Sequence, residues 1–320
     1  MSSAKRDARI GRDGPHLQVP STEDGADALP AFCQRHGATL CVMEATGGYE
    51  RPAFARLWAR NVPTAVATPR AVRRFAEGMG VLEKTDRIDA GVIAWYAETK
   101  RIQPTQPASP DQRRLAALVT HVRQLTEQKV VLQNQARLVD DADVLASFSL
   151  VLGTVRAQVK AVAAKVAALI EADPLWAKLD AAFRTVKGVA NRTVARLMAE
   201  LPEIGTLSNK AIAKLAGVAP LANQSGTHDG ARHIRGGREG PRSILFIAAG
   251  IAARHEPDFR DFDQRLTQKG KPRMVVRMAL AHKLLTRLNA KAREARANLA
   301  NTARNLEQAD HERNDAAQPA

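Results

Sequence analysis

Cysteine is scarce. Cys33 and Cys41 are the only two in 320 residues, and they show neither a CxxC pair nor Cys/His metal spacing. A disulfide-stapled scaffold is excluded, and a protein of the reducing cytoplasm is expected. Aromatic residues make up 4% of the chain, too few for base stacking on Trp, Tyr or Phe to carry nucleic-acid binding. No apolar run reaches the roughly 18 residues of a membrane span. The longest, Ile244–Ala253, is interrupted by Gly250 and predicts a buried helix, so no membrane partner is expected. Polar residues follow Met1, which predicts no signal peptide. No short internal repeat is evident.

Acidic charge is also in deficit: 33 Asp and Glu stand against 48 Lys and Arg, a formal net charge of +15 and a pI near 10.4. That balance favours a polyanion, most simply nucleic acid, held through phosphate contacts with steep salt dependence. The competing reading is a merely soluble basic protein. Hydrophobic residues reach 45%, enough for a core without staples in about two domains.

Residues 1–24 are polar and without period. Helical spacing predicts a short helix over 26–36, and Ala38–Met43 reads as a buried strand. A helix over 49–60, a strand over 62–68 and a basic helix over 71–77 follow. Thr85 is a natural N-cap for a helix to about Lys100 with Ile88, Val92, Trp95 and Tyr96 on its apolar face. Alternating strands and helices predict an α/β domain over 1–105. Three prolines in 103–110 mark a linker. The almost breaker-free stretch 111–181 predicts, for the segment 106–181, a long antiparallel helical hairpin, or coiled coil, bending near Asp140–Gly153.

A mainly α segment is expected over 182–291, then a polar tail over 292–320 whose last dozen residues are expected to be disordered. The turn Val186-Lys187-Gly188-Val189 before a helix from Asn191 resembles that of a helix-hairpin-helix unit, whose backbone N–H groups hold a phosphate. An ordinary helix connection fits equally well. Residues 225–291 hold 14 Lys and Arg against 6 Asp and Glu, over half the excess charge in about a fifth of the chain. Within the Gly- and Arg-rich loop expected from Gly217, Arg232, Arg235, Arg238 and Arg242 are candidate phosphate ligands, with Lys187 beside its own turn. His228 and His233 are expected to be solvated or to contact phosphate. Ser225-Gly226 alone is an ordinary turn.

Three carboxylates are candidates for chemistry. Glu44 ends the apolar run before Thr46-Gly47-Gly48, and Asp86 and Asp89 stand three apart in KTDRIDA. Residues at that spacing are neighbours on a helix and repel unless a cation separates them. Acids favoured by the helix dipole are the plain alternative. Hard oxygens with no His or Cys nearby suit Mg²⁺ or Mn²⁺ rather than zinc.

MEATGGYE at 43–50, KTDRIDA at 84–90, and the stretch from Ala216-Gly217-Val218-Ala219-Pro220 to Ser225-Gly226 together resemble the DEDD transposases of bacterial insertion sequences. These are bridge-RNA-guided recombinases related to the pilin-gene invertases. The resemblance covers about Asp7 to Leu285. It implies a RuvC-like (RNase H-like) N-terminal domain, a helical hairpin or coiled coil, and a mainly α C-terminal domain carrying a nucleophilic serine at Ser225. It makes Glu44 the family's Glu and Asp86 and Asp89 its paired Mg²⁺-binding aspartates. It also implies donor and target DNA, a guide RNA, and a homo-oligomer, a dimer or tetramer.

The chain departs from that pattern at its front. The family's first strand is apolar and ends in the first metal-binding Asp, and Ser2-Ser3-Ala4-Lys5-Arg6-Asp7 matches the stretch just after it. The strand and its Asp are therefore expected just before residue 1, and Asp7 and Asp13 are poor substitutes. A mis-assigned start is favoured over a true truncation, because losing a central strand exposes ladder groups. Metal-dependent DNA cleavage and rejoining is the expected activity. The alternatives are a Holliday-junction-type nuclease using water, and an inactive nucleic-acid-binding remnant.

Overall fold

A computed structural model describes residues 4–316. It is helix-rich with small sheets: twelve helices and six strands among the described residues. The chain divides into two compact units, Met1–Ala108 and Ser109–Ala320.

The first unit opens with a hairpin where no strands are expected from the sequence: β1 (Lys5–Arg9) pairs antiparallel with β2 (His16–Pro20). Its polar composition hides it, because only Arg6 and Val19 of its ten residues are buried. Helix α1 (Glu23–Arg35) follows, capped by the Thr22 hydroxyl accepting from the Gly25 N–H. β3 (Cys41–Glu44) pairs in parallel with β4 (Thr64–Ala67) across the crossover helix α2 (Arg51–Ala59). α3 (Pro69–Gly78) and α4 (Asp86–Lys100) complete the unit. The two β-pairs remain separate sheets.

One apolar cluster joins Val19, Leu29, Cys33, Met43, Ala53, Leu57 and Val62; another joins Ala67, Val72, Ala76 and Val92. Aromatic rings go into packing here. Phe75 meets Trp95 and Tyr96 edge-on at 5.1 and 5.4 Å, and the Arg12 guanidinium lies 4.0 Å over Trp95. Gly91 lets α4 reach the hairpin turn, since a Cβ there would stand 2.5 Å from the Arg12 carbonyl oxygen.

The second unit begins with α5 (Pro110–Ala136) and α6 (Ala142–Ala172), the expected antiparallel hairpin. The turn lies at Arg137–Asp141, earlier than its expected place, because the Asp141 carboxylate caps α6 through the Asp143 and Val144 N–H groups. Gly153 stays inside α6 as an exposed helical residue. Leu115, Val119, Val166 and Ile170 bury the base of the hairpin, whereas Leu138 and Leu150 are 87% and 75% exposed. α6 also carries an 18-residue window of mean hydropathy 1.2, long and apolar enough to cross a membrane by length and composition, and only 6% of it is buried. No such run is expected from the sequence. It arises because alanines and valines dilute the charges without forming an unbroken apolar string.

α7 (Pro174–Arg184), α8 (Asn191–Glu200) and α9 (Asn209–Leu215) lead to a second hairpin, β5 (Pro220–Ser225) and β6 (His228–Ile234). Then come α10 (Glu239–His255), α11 (Pro257–Gln268) and α12 (Arg273–Ala316). α12 corrects the expected polar tail: the helix runs through 292 without a break. Ala292 and Ala295 are buried in the main cluster, and Arg296 Nε donates to the Ile204 carbonyl at 3.1 Å. Small apolar residues at helical spacing hold this polar-looking stretch. The last four residues of the expected tail lie outside the described residues.

Candidate active site and nucleic-acid interface

Glu44 is the last residue of β3. The loop after it is ordered by Glu50, which the sequence reading passed over. Glu50 Oε2 accepts from the Thr46 and Gly48 N–H groups, each at 2.9 Å, and from the Thr46 hydroxyl at 3.1 Å. Burial works against ionisation of Glu50, but these hydrogen bonds hold its carboxyl below the usual value. Its signal was present in MEATGGYE: an acid two residues past paired glycines can gather the N–H groups of the turn.

Thr85 caps α4 as expected, its hydroxyl accepting from the Ile88 N–H at 3.2 Å. Asp86 and Asp89 thus occupy the first turn. All three acids line one cavity of about 530 Å³ formed by β1, β3, α1 and α4. Burial, then the Asp89 charge, pushes the Glu44 carboxyl up. Burial also pushes Asp89 up, with Asp86 adding to it and Lys84 opposing.

Glu44 thus feels the Asp89 charge, a repulsion that a cation between them would relieve. Their oxygens fit Mg²⁺, which protein sites commonly hold through one or two carboxylates and a substrate phosphate. The expected three-ligand set does not converge: among the described residues no three His, Cys, Asp or Glu side chains gather closely enough to hold a metal. Asp86 lines the cavity, on the same helix turn as Asp89, without completing such a set.

In the second unit the expected Gly- and Arg-rich loop is partly a hairpin. Ser225 ends β5 opposite His228, across a two-residue Gly226-Thr227 turn with Gly226 at φ +55°. Ser225 is exposed at this tip. His233 lies in β6. Arg232 and Arg235 are exposed and suited to phosphate.

Two other arginines are engaged within the fold. Arg238 holds both Glu203 oxygens at 2.7 Å and the Glu200 carbonyl at 3.0 Å, and Arg242 Nη1 donates to the Gly236 carbonyl at 3.0 Å. Acids and carbonyls of the fold take these Arg238 donors and one Arg242 donor. The same is true of the turn at Lys187. Its N–H donates to Glu256 Oε1 at 2.7 Å, a carboxylate standing where a phosphate would. Gly188, at φ +91°, packs against α10, where a Cβ would lie 2.9 Å from the Ala252 nitrogen. The Lys187 side chain itself is exposed. Arg192, not singled out from the sequence, is exposed beside an open groove of about 560 Å³ that Arg123, Arg196 and the start of α10 also line.

Comparison with known proteins decides the family. A transposase family model for DEDD enzymes of the IS110 type matches residues 10–139, and one for the IS116/IS110/IS902 transposase family matches 180–264. Together they span about two-thirds of the 320 residues. The chain belongs to the IS110 family of transposases.

As a member of that family it is a DNA transposase or recombinase. It is 26% identical over 281 residues to the pilin gene-inverting proteins of Moraxella lacunata and Moraxella bovis, covering 83% of this chain and 85% of each relative. A 43.6 kDa protein of insertion element IS110 from Streptomyces coelicolor is 27% identical over 220 residues, covering 65% of this chain and 53% of the relative. The DEDD match agrees with an RNase H-like first unit.

Proposed function

We propose that this transposase cleaves and rejoins DNA through a phosphoserine link made by Ser225, with a divalent cation, Mg²⁺ or Mn²⁺, held by Glu44 and Asp89. The supporting observation is the acid pair that lines one cavity, one member from the end of β3 and one from the first turn of α4. Bound there, the cation would supply charge neutralisation at the scissile phosphate.

The chain's own groups do the rest. Ser225 Oγ forms a bond to phosphorus, one phosphate–deoxyribose P–O bond breaks, the leaving oxygen takes up a proton, and the serine proton passes to solvent. The linkage conserves the bond energy, so attack by a DNA hydroxyl rejoins the strand and frees the serine. Arg232 and Arg235 hold the backbone. Burial, with Asp86 adding to it, holds the Asp89 carboxyl above its usual value, which a cation would offset. Arg238, Arg242 and the Lys187 N–H shape the scaffold, leaving the Lys187 ammonium free for phosphate. Sequence choice falls to a guide RNA that pairs with donor and target DNA, consistent with an aromatic content of only 4%. A second copy covers the exposed apolar side of the α5–α6 hairpin, giving a dimer or tetramer.

The test is cleavage of a supercoiled plasmid carrying the element's own ends, in Mg²⁺. Nicking by the full chain that is lost in Glu44→Gln and in Asp89→Asn is the expected result. Undiminished nicking in both variants refutes the acid pair. Nicking that survives Ser225→Ala assigns a water-using nuclease instead.

A further inference from the structure

We infer that the corner between α11 and α12 grips duplex DNA at the minor groove, with Lys269, Lys271 and Arg273 on the phosphates and Met274 as an apolar wedge between base pairs. That the chain handles DNA follows from its family. Nothing in the corner depends on Ser225 or on the acid pair.

The charge pattern singles out this corner. Between Asp263 and Glu294 lie 30 residues with nine Lys and Arg and no acid. The fold engages those on the body of α12. Lys283 donates to the Asp258 carbonyl at 2.6 Å and lies 5.0 Å over the Phe259 and Phe262 rings. Arg287 stands 3.7 Å from Glu256 and 3.8 Å from Asp258. Arg277 lies 5.5 Å over Phe246 and takes the space left by Gly250. Lys269, Lys271 and Arg273 differ. All three are exposed, and among the described residues none of their side chains has a hydrogen bond or ion pair. Three unpaired cations within five residues repel one another, and a polyanion relieves that.

The backbone of the corner is fixed. Gly270 N–H donates to the Thr267 carbonyl at 2.9 Å and Lys271 N–H to the Leu266 carbonyl at 3.2 Å, the bond pair that closes a helix through a left-handed residue. Gly270 supplies that residue at φ +69°. Pro272 follows, and its carbonyl accepts from the Val276 N–H at 3.0 Å. Phe259 and Val276, both buried, anchor the helices on either side. A corner held this way presents its side chains with little further ordering cost on binding.

Met274 and Val275 come next in the chain and are 65% and 51% exposed. Apolar side chains at a solvent-facing corner, flanked by cations, have the composition of a minor-groove wedge. There Met or another apolar residue partly unstacks a base step while Lys and Arg contact the DNA around it. Met is unbranched and adapts to an irregular gap. Single-stranded RNA fits less well, because its binding modules stack bases on aromatic rings. The rings near this corner, Phe259 and Phe262, lie beneath Lys283 and Arg265.

Binding is measured without divalent cation, on a duplex carrying a fluorophore at each end and a central TA step, a kind easily kinked. The full chain should raise energy transfer between the ends. Met274→Ala should bind without raising it, and Met274→Leu should restore it. Lys269→Ala, Lys271→Ala and Arg273→Ala should each cut the salt slope of duplex binding by about 1, and together by about 3, with Tm unmoved. Equal energy transfer in the full chain and Met274→Ala overturns the wedge, and unchanged slopes overturn the phosphate contacts. Slopes that fall on single-stranded RNA and not on the duplex assign the corner to RNA and overturn the inference. So does sedimentation in which Met274→Ala dissociates an oligomer while bending survives, because a second copy then covers the patch. Glu44→Gln and Ser225→Ala should bend the duplex as the unaltered chain does, which separates this test from any failure of the cleavage chemistry.

Discussion

Replacing Arg238 with alanine separates a fold-holding arginine from a DNA-holding one. Arg238 makes two charge-assisted hydrogen bonds to Glu203 at 2.7 Å and one to the Glu200 carbonyl. An exposed pair is worth about 0–1 kcal/mol, and breaking a buried one costs about 3–5 kcal/mol. These side chains are 41% and 33% exposed, so about 2 kcal/mol is expected, after discounting for solvent screening. For a unit of this size that lowers Tm by about 4–8 °C.

The pH dependence carries the signature. Burial opposes ionisation of Glu203, but the Arg238 hydrogen bonds outweigh it and hold the carboxyl below its usual value. A depressed folded pKa gives stability that is present above the unfolded value, about 4.3. It is lost as the pH falls through the folded value. Scanning calorimetry without nucleic acid should show the gap at pH 7 and its narrowing below about pH 4. Arg238→Lys should recover part of it, a point charge without the fork geometry. An unchanged Tm at pH 7, with DNA binding alone impaired, refutes the assignment.

The acid pair behaves in the opposite sense. The raised folded pKa of Glu44 means that its contribution is present at low pH and lost as pH rises through the folded value. Glu44→Gln should therefore stabilise at pH 7, and the gain should vanish below about pH 4. Millimolar Mg²⁺ should raise the wild-type Tm and leave the variant's alone, whereas equal shifts in both would place the cation elsewhere. Arg232→Ala and Arg235→Ala should each cut the salt slope of duplex binding by about 1 without moving Tm, as titrations at several salt concentrations will show. Gly188→Ala should cost about 2 kcal/mol or more, because φ is +91° and the Ala252 nitrogen lies 2.9 Å from the new Cβ; a circular-dichroism melt matching wild type would contradict this.

Much of the first unit was legible because local signals agree with tertiary demands. Thr85 announces α4, and the short apolar run ending in Glu44 announces β3. The β1–β2 hairpin was illegible: its strands are polar, and α1 and α4 supply the apolar cover. The course of α12 was hidden for the same reason, since Ala292 and Ala295 read as surface residues until a partner face is known. At the site, the residue types of Glu44 and Asp89 marked them as candidates, and the structure places both on one cavity. The engagement of Arg238 by Glu203 did not, because an arginine in a Gly-rich stretch carries no mark of an acid 35 residues away.

The central claim, that Ser225 is the nucleophile, is tested most directly by trapping the cleavage intermediate in Mg²⁺, digesting it, and locating the attached nucleotide by mass spectrometry. A nucleotide phosphate on the peptide containing Ser225, absent from Ser225→Ala, is the predicted result. Strand cleavage that leaves free phosphate and hydroxyl ends with no modified peptide, or a nucleotide on another residue, would contradict it.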